Sequence, residues 1–152
     1  RTVPWHGTGP GSTPGRSTRF ALIYMQSNFW IIILALIGFF VSWYIHHKKK
    51  KQEKLICYIG NDCDAVVHSK FSKFLGIPNE VLGMVYYGAI AVVTLLPFNL
   101  GLTLLIVSGA AALFSIILIA IQAFVIKEWC EYCIVSAVVS ILIFIVKLFS
   151  II

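Results

Sequence analysis

Charge is what this chain of 152 residues has least of. Only 12% of its residues are Asp, Glu, Lys or Arg, about half the share of a soluble domain. Hydrophobic residues make up 59% of the chain, and the mean hydropathy is +0.92. An ordinary soluble core is excluded, because it has no use for several apolar runs of about 20 residues, the length that crosses the hydrocarbon of a bilayer. The basic charge, with a pI near 9.3, does not point to nucleic acid, since most lysines flank the apolar runs, where membrane proteins place them. Membrane lipid is therefore an expected partner and nucleic acid is not. The size allows one domain.

An apolar segment is also missing at the start. Residues 1–19 are rich in Gly, Pro, Ser and Thr and have no periodicity. They lack the hydrophobic stretch of a cleaved secretory signal. Residues 1–24 are read as a disordered leader or an appended segment, with Met25 a plausible native start. Residues 25–152 are read as the membrane domain.

Four apolar runs follow. The first covers 28–45 and stops at His46-His47-Lys48-Lys49-Lys50-Lys51. The second covers 81–98, with Pro97 near its end, and a tight turn at Phe98-Asn99-Leu100-Gly101 leads on. The third covers 102–126, and its Ser108-Gly109-Ala110-Ala111-Ala112 stretch suits close helix packing. The fourth runs from near Cys130 to Ile152, and Lys147 is placed to snorkel to the headgroups. Only helices satisfy the backbone across a bilayer with runs of this kind. The expected fold is all-α and integral to the membrane, a bundle of four transmembrane helices. In the loop after the first span, Val67, Phe71, Phe74 and Leu75 share one helical face and Lys70 and Lys73 another. That pattern predicts a short amphipathic half-helix, either a plain surface helix or a lid over a pocket. Asp62 or Asp64 is expected to cap it.

Cysteines are few, and their positions carry the most information. Cys57 and Cys63 follow the first run, and Cys130 and Cys133 open the last. Two runs lie between the pairs, so both pairs face the same side of one membrane. Cys130-Glu131-Tyr132-Cys133 has the spacing of a redox dithiol at a helix start, where the helix N-terminus favours a thiolate on the first cysteine. Glu128 and Glu131 oppose that effect. Cys57 and Cys63 are also close enough in sequence to pair. The residues alone leave three readings open: an electron relay, which works only through sulfur-to-sulfur contact; inert disulfides or buried thiols; or a four-cysteine zinc site, which lacks a zinc-ribbon context.

These features together resemble the vitamin K epoxide reductase family. The resemblance covers 28–152. It rests on Cys57 and Cys63, on Ser69 six residues beyond, on Asn79-Glu80-Val81-Leu82-Gly83-Met84-Val85-Tyr86-Tyr87, and on Cys130-x-x-Cys133. The spacing of Cys57 and Cys63 is that of prokaryotic members. The resemblance implies a four-helix bundle around a quinone of ubiquinone or menaquinone type, capped by the loop half-helix. Cys57 and Cys63 would be the shuttle pair that exchanges electrons with a thioredoxin-like or DsbA-like partner. Cys63 would attack Cys130, and Cys133 would face the quinone. Ser69 and Asn79 match polar residues of the family's site, with Asn79 hydrogen-bonding a quinone oxygen. Phe71 on the lid and the aromatics Tyr86, Tyr87, Phe114 and Tyr132 are expected to wall the quinone, although each is equally suited to ordinary bundle packing.

Members that reduce vitamin K epoxide carry a tyrosine four residues after the last cysteine, where this chain has Ala137. The expected function is therefore oxidation of protein dithiols with a membrane quinone as acceptor, in support of disulfide formation. Epoxide reduction of the vitamin K cycle type is the alternative enzyme, and a metal-binding or structural membrane protein the alternative of another class. No thioredoxin-like domain follows within the sequence, so a separate redox partner is expected. A multi-pass position in the cell membrane is expected, but its orientation is in conflict. Disulfide chemistry favours the extracytosolic side, whereas Lys48–Lys51, Lys54, Lys70, Lys73 and Lys127 on the cysteine face favour the cytosol.

Overall fold

The computed structural model describes residues 15–58, 63–97 and 100–152. Its long elements are all helices: α1 (Arg16–Lys50), α3 (Asn79–Leu95), α4 (Gly101–Ile121) and α5 (Glu131–Ile151), with a single turn, α2 (Cys63–Val67), in the first loop. A π-helical turn, Gln122–Ile126, prolongs α4. Among the described residues, three helices are long and apolar enough to cross a membrane: Arg16–Lys50, Gly101–Ile126 and Glu131–Ile151. α3 is apolar but has 17 residues, about 26 Å at the helical rise against roughly 30 Å of hydrocarbon. It stops at Leu96, which precedes Pro97, because a residue before proline is pushed out of helical geometry.

The helices are built inside-out relative to a soluble bundle. Large apolar side chains such as Phe40, Ile106, Leu113 and Phe149 point outward, while Ser42, Ser108, Ala35, Ala112 and Ser140 are buried. Small residues let backbones approach where lipid supplies no hydrophobic drive between helices. α1 packs on α3 and α5, and α4 packs on α5. Ser108 and Ala112 of the small-residue stretch are buried in that arrangement, as expected.

The structure departs from the expectations in three places. α1 begins at Arg16, inside the segment assigned to the leader; residues 16–24 continue the helix as an exposed extension, and residues 1–14 lie outside the described residues. The loop carries no continuous amphipathic half-helix. α2 is followed by a 3-10 turn, Lys70–Ser72, and an antiparallel hairpin of β1 (Lys73–Phe74) and β2 (Ile77–Pro78). The hairpin is turned by Leu75 and Gly76 at φ 52° and 84°, the two positive values that a tight two-residue hairpin requires, so the helix period cannot run through 74 and 75. Lys147 does not reach the surface: it is 2% exposed, and its Nζ sits 5.4 Å from the centre of the Tyr24 ring, a cation–π contact. Asp64 accepts a hydrogen bond from the Leu55 N–H at 3.2 Å. The expected Asp62 cap and the Phe98-Asn99 part of the expected turn lie outside the described residues.

Two buried clusters result. One joins α1, α3, α4 and α5 through Ile31, Ala35, Tyr87, Ile90, Leu104, Val139 and Ile143. The other contains Ile45, Val66 and Val67 and gathers the cysteines.

Candidate active site

The end of α4 sets the position of the second cysteine pair. Its π turn ends at Lys127, which takes a left-handed φ of 58°, and the chain doubles back so that Cys130 immediately precedes α5. Cys130 is fully buried, Cys133 is half-buried, and both are free thiols. Cys57 and Cys63 form a disulfide with their Cα atoms 6.2 Å apart, within the usual range. The four cysteines are thus arranged as one disulfide and one free dithiol. Cys63 and Cys130 belong to the same buried cluster, with Cys57 and Cys133 packed against it.

Two hydrogen bonds bracket Cys57 and fasten its loop to the start of α5. The Tyr58 N–H donates to Glu131 Oε2 at 3.0 Å, and the Tyr132 hydroxyl donates to the Ile56 carbonyl at 2.8 Å. The two residues inside the Cys-x-x-Cys thus hold one pair beside the other. This also gives Glu131 a role that its charge alone obscures. The Cys130 thiol is pulled below its ordinary range, first by a hydrogen bond with the Cys133 side chain and then, against the cost of burial, by the backbone N–H groups of Cys133 and Tyr132. Glu131 pushes the other way. The Cys133 thiol, helped by the N–H groups of the helix start, prevails over burial and the carboxylate, and Cys130 is the cysteine on which a thiolate is favoured.

A cavity of about 110 Å³ opens beside Cys133. Its wall includes Ser69, Phe71, Asn79, Glu80 and Gln122. Asn79 Nδ2 donates to the Phe71 carbonyl at 2.9 Å, tying the start of α3 to the turn that follows α2, while Asn79 Oδ1 is buried with no hydrogen-bond partner among the described residues. The Ser69 hydroxyl donates to the Val66 carbonyl at 2.7 Å, which closes α2 against the cavity. Of the residues singled out from sequence, Cys133, Asn79, Ser69 and Phe71 meet at this cavity. Tyr86 and Tyr87 are not in its wall. The Tyr87 hydroxyl is engaged with the Ser136 carbonyl at 2.7 Å and with the Ser136 and Ser140 hydroxyls at 2.9 Å each. Tyr86 stacks edge-on against the Tyr87 ring at 4.9 Å. Phe114 packs on Phe74, and Tyr132 on Tyr44.

Two wall residues had no role in the sequence reading. Gln122, 4% exposed, places Oε1 3.5 Å from the Cys130 N–H, at the limit of a hydrogen bond, and shares the cavity wall with Cys133. Glu80 is buried at the head of α3. In sequence the only signal was polarity: Glu80 is a charge at the head of an apolar run and Gln122 a polar residue inside one, and polar groups within spans are costly enough to mark function. A model of the vitamin K epoxide reductase family matches residues 29–148, most of the chain. The chain belongs to that family. As a family member it is a membrane thiol oxidoreductase, and the family's use of quinones gives the cavity beside Cys133 its interest.

Proposed function

We propose that this family member oxidises dithiols of a thioredoxin-like partner and passes the electrons to a membrane quinone through two cysteine pairs. The observation that carries the reading is the position of Cys133 in the wall of a cavity while its neighbour Cys130 is buried in one cluster with Cys63. A dithiol enters at the Cys57–Cys63 disulfide, and electrons move inward by thiol–disulfide exchange, which requires such contact. Cys63 is the sulfur that attacks Cys130, and Cys133 is the terminal thiol.

The residues present fit a quinone head group. A cavity of about 110 Å³ is of the same order as the roughly 150 Å³ apolar cavity that takes up a single benzene ring. Ile45, Val66, Leu118 and Ile119 give the wall apolar surface, and Ser69, Asn79, Glu80 and Gln122 give it polar groups, the two kinds of lining that ligand pockets combine. Asn79 and Ser69 would orient the head group, and Phe71 would close over it. The quinone, when bound, supplies a two-electron, two-proton acceptor. The chain holds Cys133 against that site and keeps the pair dry. Reduction of an epoxide is disfavoured because Ala137, in the cavity wall, offers no hydroxyl. On this reading the protein is a four-span bundle in the cell membrane, with α3 as the short span.

Replacing each shuttle cysteine tests the relay. Cys57→Ala and Cys63→Ala should keep quinone reduction driven by dithiothreitol and lose reduction driven by a reduced thioredoxin-like protein. Full activity with the protein donor in both variants would remove the relay.

A further inference from the structure

Apart from Cys133, Glu80 is the one ionisable side chain among the described residues that lines the cavity. It is 7% exposed. Its Oε1 lies 3.1 Å from Lys49 Nζ, yet the pair misses hydrogen-bond geometry, and neither atom has a hydrogen-bond partner among the described residues. Lys49 belongs to the basic run that ends α1, and its side chain remains 17% exposed. The pair therefore spans the distance from the aqueous edge to the cavity wall. A buried carboxylate costs several kcal/mol to desolvate, and an ion pair of this kind seldom returns the cost as stability. Ionisable groups at membrane depth mark proton routes and ligand sites more often than packing. The other polar wall residues used above, Ser69, Asn79 and Gln122, do not exchange protons near neutral pH.

We propose that Glu80 is a catalytic residue that carries a proton to the quinone at this cavity, with Lys49 as its positioning residue. The inference rests on the quinone-reducing function. Oxidation of the Cys130–Cys133 dithiol forms one S–S bond and releases two electrons and two protons. Conversion of a quinone to a hydroquinone takes up the same two electrons and two protons, one at each oxygen. Glu80 Oε1 accepts one thiol proton and delivers it to the nearer oxygen. The second thiol proton leaves to water, and an equal one enters from water at the other oxygen. Glu80 ends as a carboxylate beside Lys49, ready for the next turnover. Moving the proton with the electrons avoids a bare negative charge in an apolar cavity.

The test is Glu80→Gln in the purified full chain, with dithiothreitol and a short-chain ubiquinone. Four quantities are read: kcat, KM, quinone binding by quenching of tryptophan fluorescence, and thermal unfolding. The expected result is a fall in kcat of about 100-fold or more, the scale of a lost general acid–base group, with binding unchanged. Single-turnover thiol labelling should show Cys130 and Cys133 still reduced in the quinone-loaded variant. Glu80→Asp should recover about tenfold of the loss. A kcat within about threefold of the native protein, or equal losses of binding and kcat in both variants, would overturn the assignment. If Glu80→Gln fails to fold because Lys49 is left unpaired, the double variant Glu80→Gln/Lys49→Gln carries no lone charge and must show the same kcat loss. If that variant also fails, Glu80→Asp decides: native kcat overturns the role, and a kcat about tenfold lower with intact binding supports it. A native protein that reduces no quinone overturns the function and the proton role together, whereas an active native protein with an equally active Glu80→Gln overturns the proton role alone.

Discussion

Gly38→Ala tests the packing on which the cavity stands. A Cβ at Gly38 would lie 2.5 Å from Cε1 and Cζ of the Tyr87 ring, whereas carbons in contact sit about 3.5–4.0 Å apart. Either α1 and α3 separate by about 1 Å, or the ring turns. Turning is opposed, since the Tyr87 hydroxyl holds Ser136 and Ser140 of α5, and each such bond contributes about 0.5–1.5 kcal/mol. Overpacking of this kind costs about 1–3 kcal/mol. Gly88→Ala supplies the control: its Cβ meets nothing within 4 Å, so it shares the helix-propensity gain of about 1 kcal/mol without the clash. Comparison of the two alanines isolates the clash. Reversible unfolding in detergent, followed by circular dichroism, should find Gly38→Ala less stable than Gly88→Ala by about 1–3 kcal/mol. Because Ser136 also lines the cavity, KM for quinone should rise as well. Equal stability of the two variants would refute the α1–α3–α5 staple.

Two further predictions concern the thiols. In the fully reduced protein the first thiolate to form should be that of Cys130. Its pKa is lowered, so its proton leaves at lower pH than the ordinary thiol value near 8.5, and the ultraviolet thiolate absorbance should rise below that pH. In Cys133→Ala the largest lowering influence is gone and the titration should move up; a midpoint that stays in place would contradict the hydrogen bond. Tyr132→Phe removes the bond to the Ile56 carbonyl, which contributes about 1 kcal/mol. Transfer from a thioredoxin-like donor should slow about threefold to tenfold while the dithiothreitol-driven rate holds, and equal slowing of both would count against a loop-docking role.

How far the chain could be read from sequence differs by element. The long helices were legible because each carries an apolar run of about the length that crosses a bilayer. The first loop was misread because Val67, Phe71, Phe74 and Leu75 mimic a helical face, whereas Leu75-Gly76 takes the paired positive φ of a hairpin turn, and a helix period does not register such a turn. Lys147 was expected to snorkel outward, but the ring of Tyr24 on another helix gave it an inward partner, a contact between residues far apart in sequence. That Cys133, Ser69 and Asn79 meet at one cavity and the four cysteines gather in one cluster agrees with the spacing and the family resemblance. Glu80 and Gln122 were not legible in this way, since their significance depends on a cavity formed by α3, the π turn and α5 together. Tyr86 and Tyr87 carry the right chemistry for a ring-binding wall, yet the twist of α3 turns Tyr87 toward α1 and α5 instead.

The most direct test of the central claim is loss of quinone absorbance driven by dithiothreitol in the purified protein, measured beside Cys133→Ala. The account predicts quinone reduction by the native protein and none above background in the variant. Equal reduction by the two, or none by a folded native protein with accessible cysteines, would contradict it.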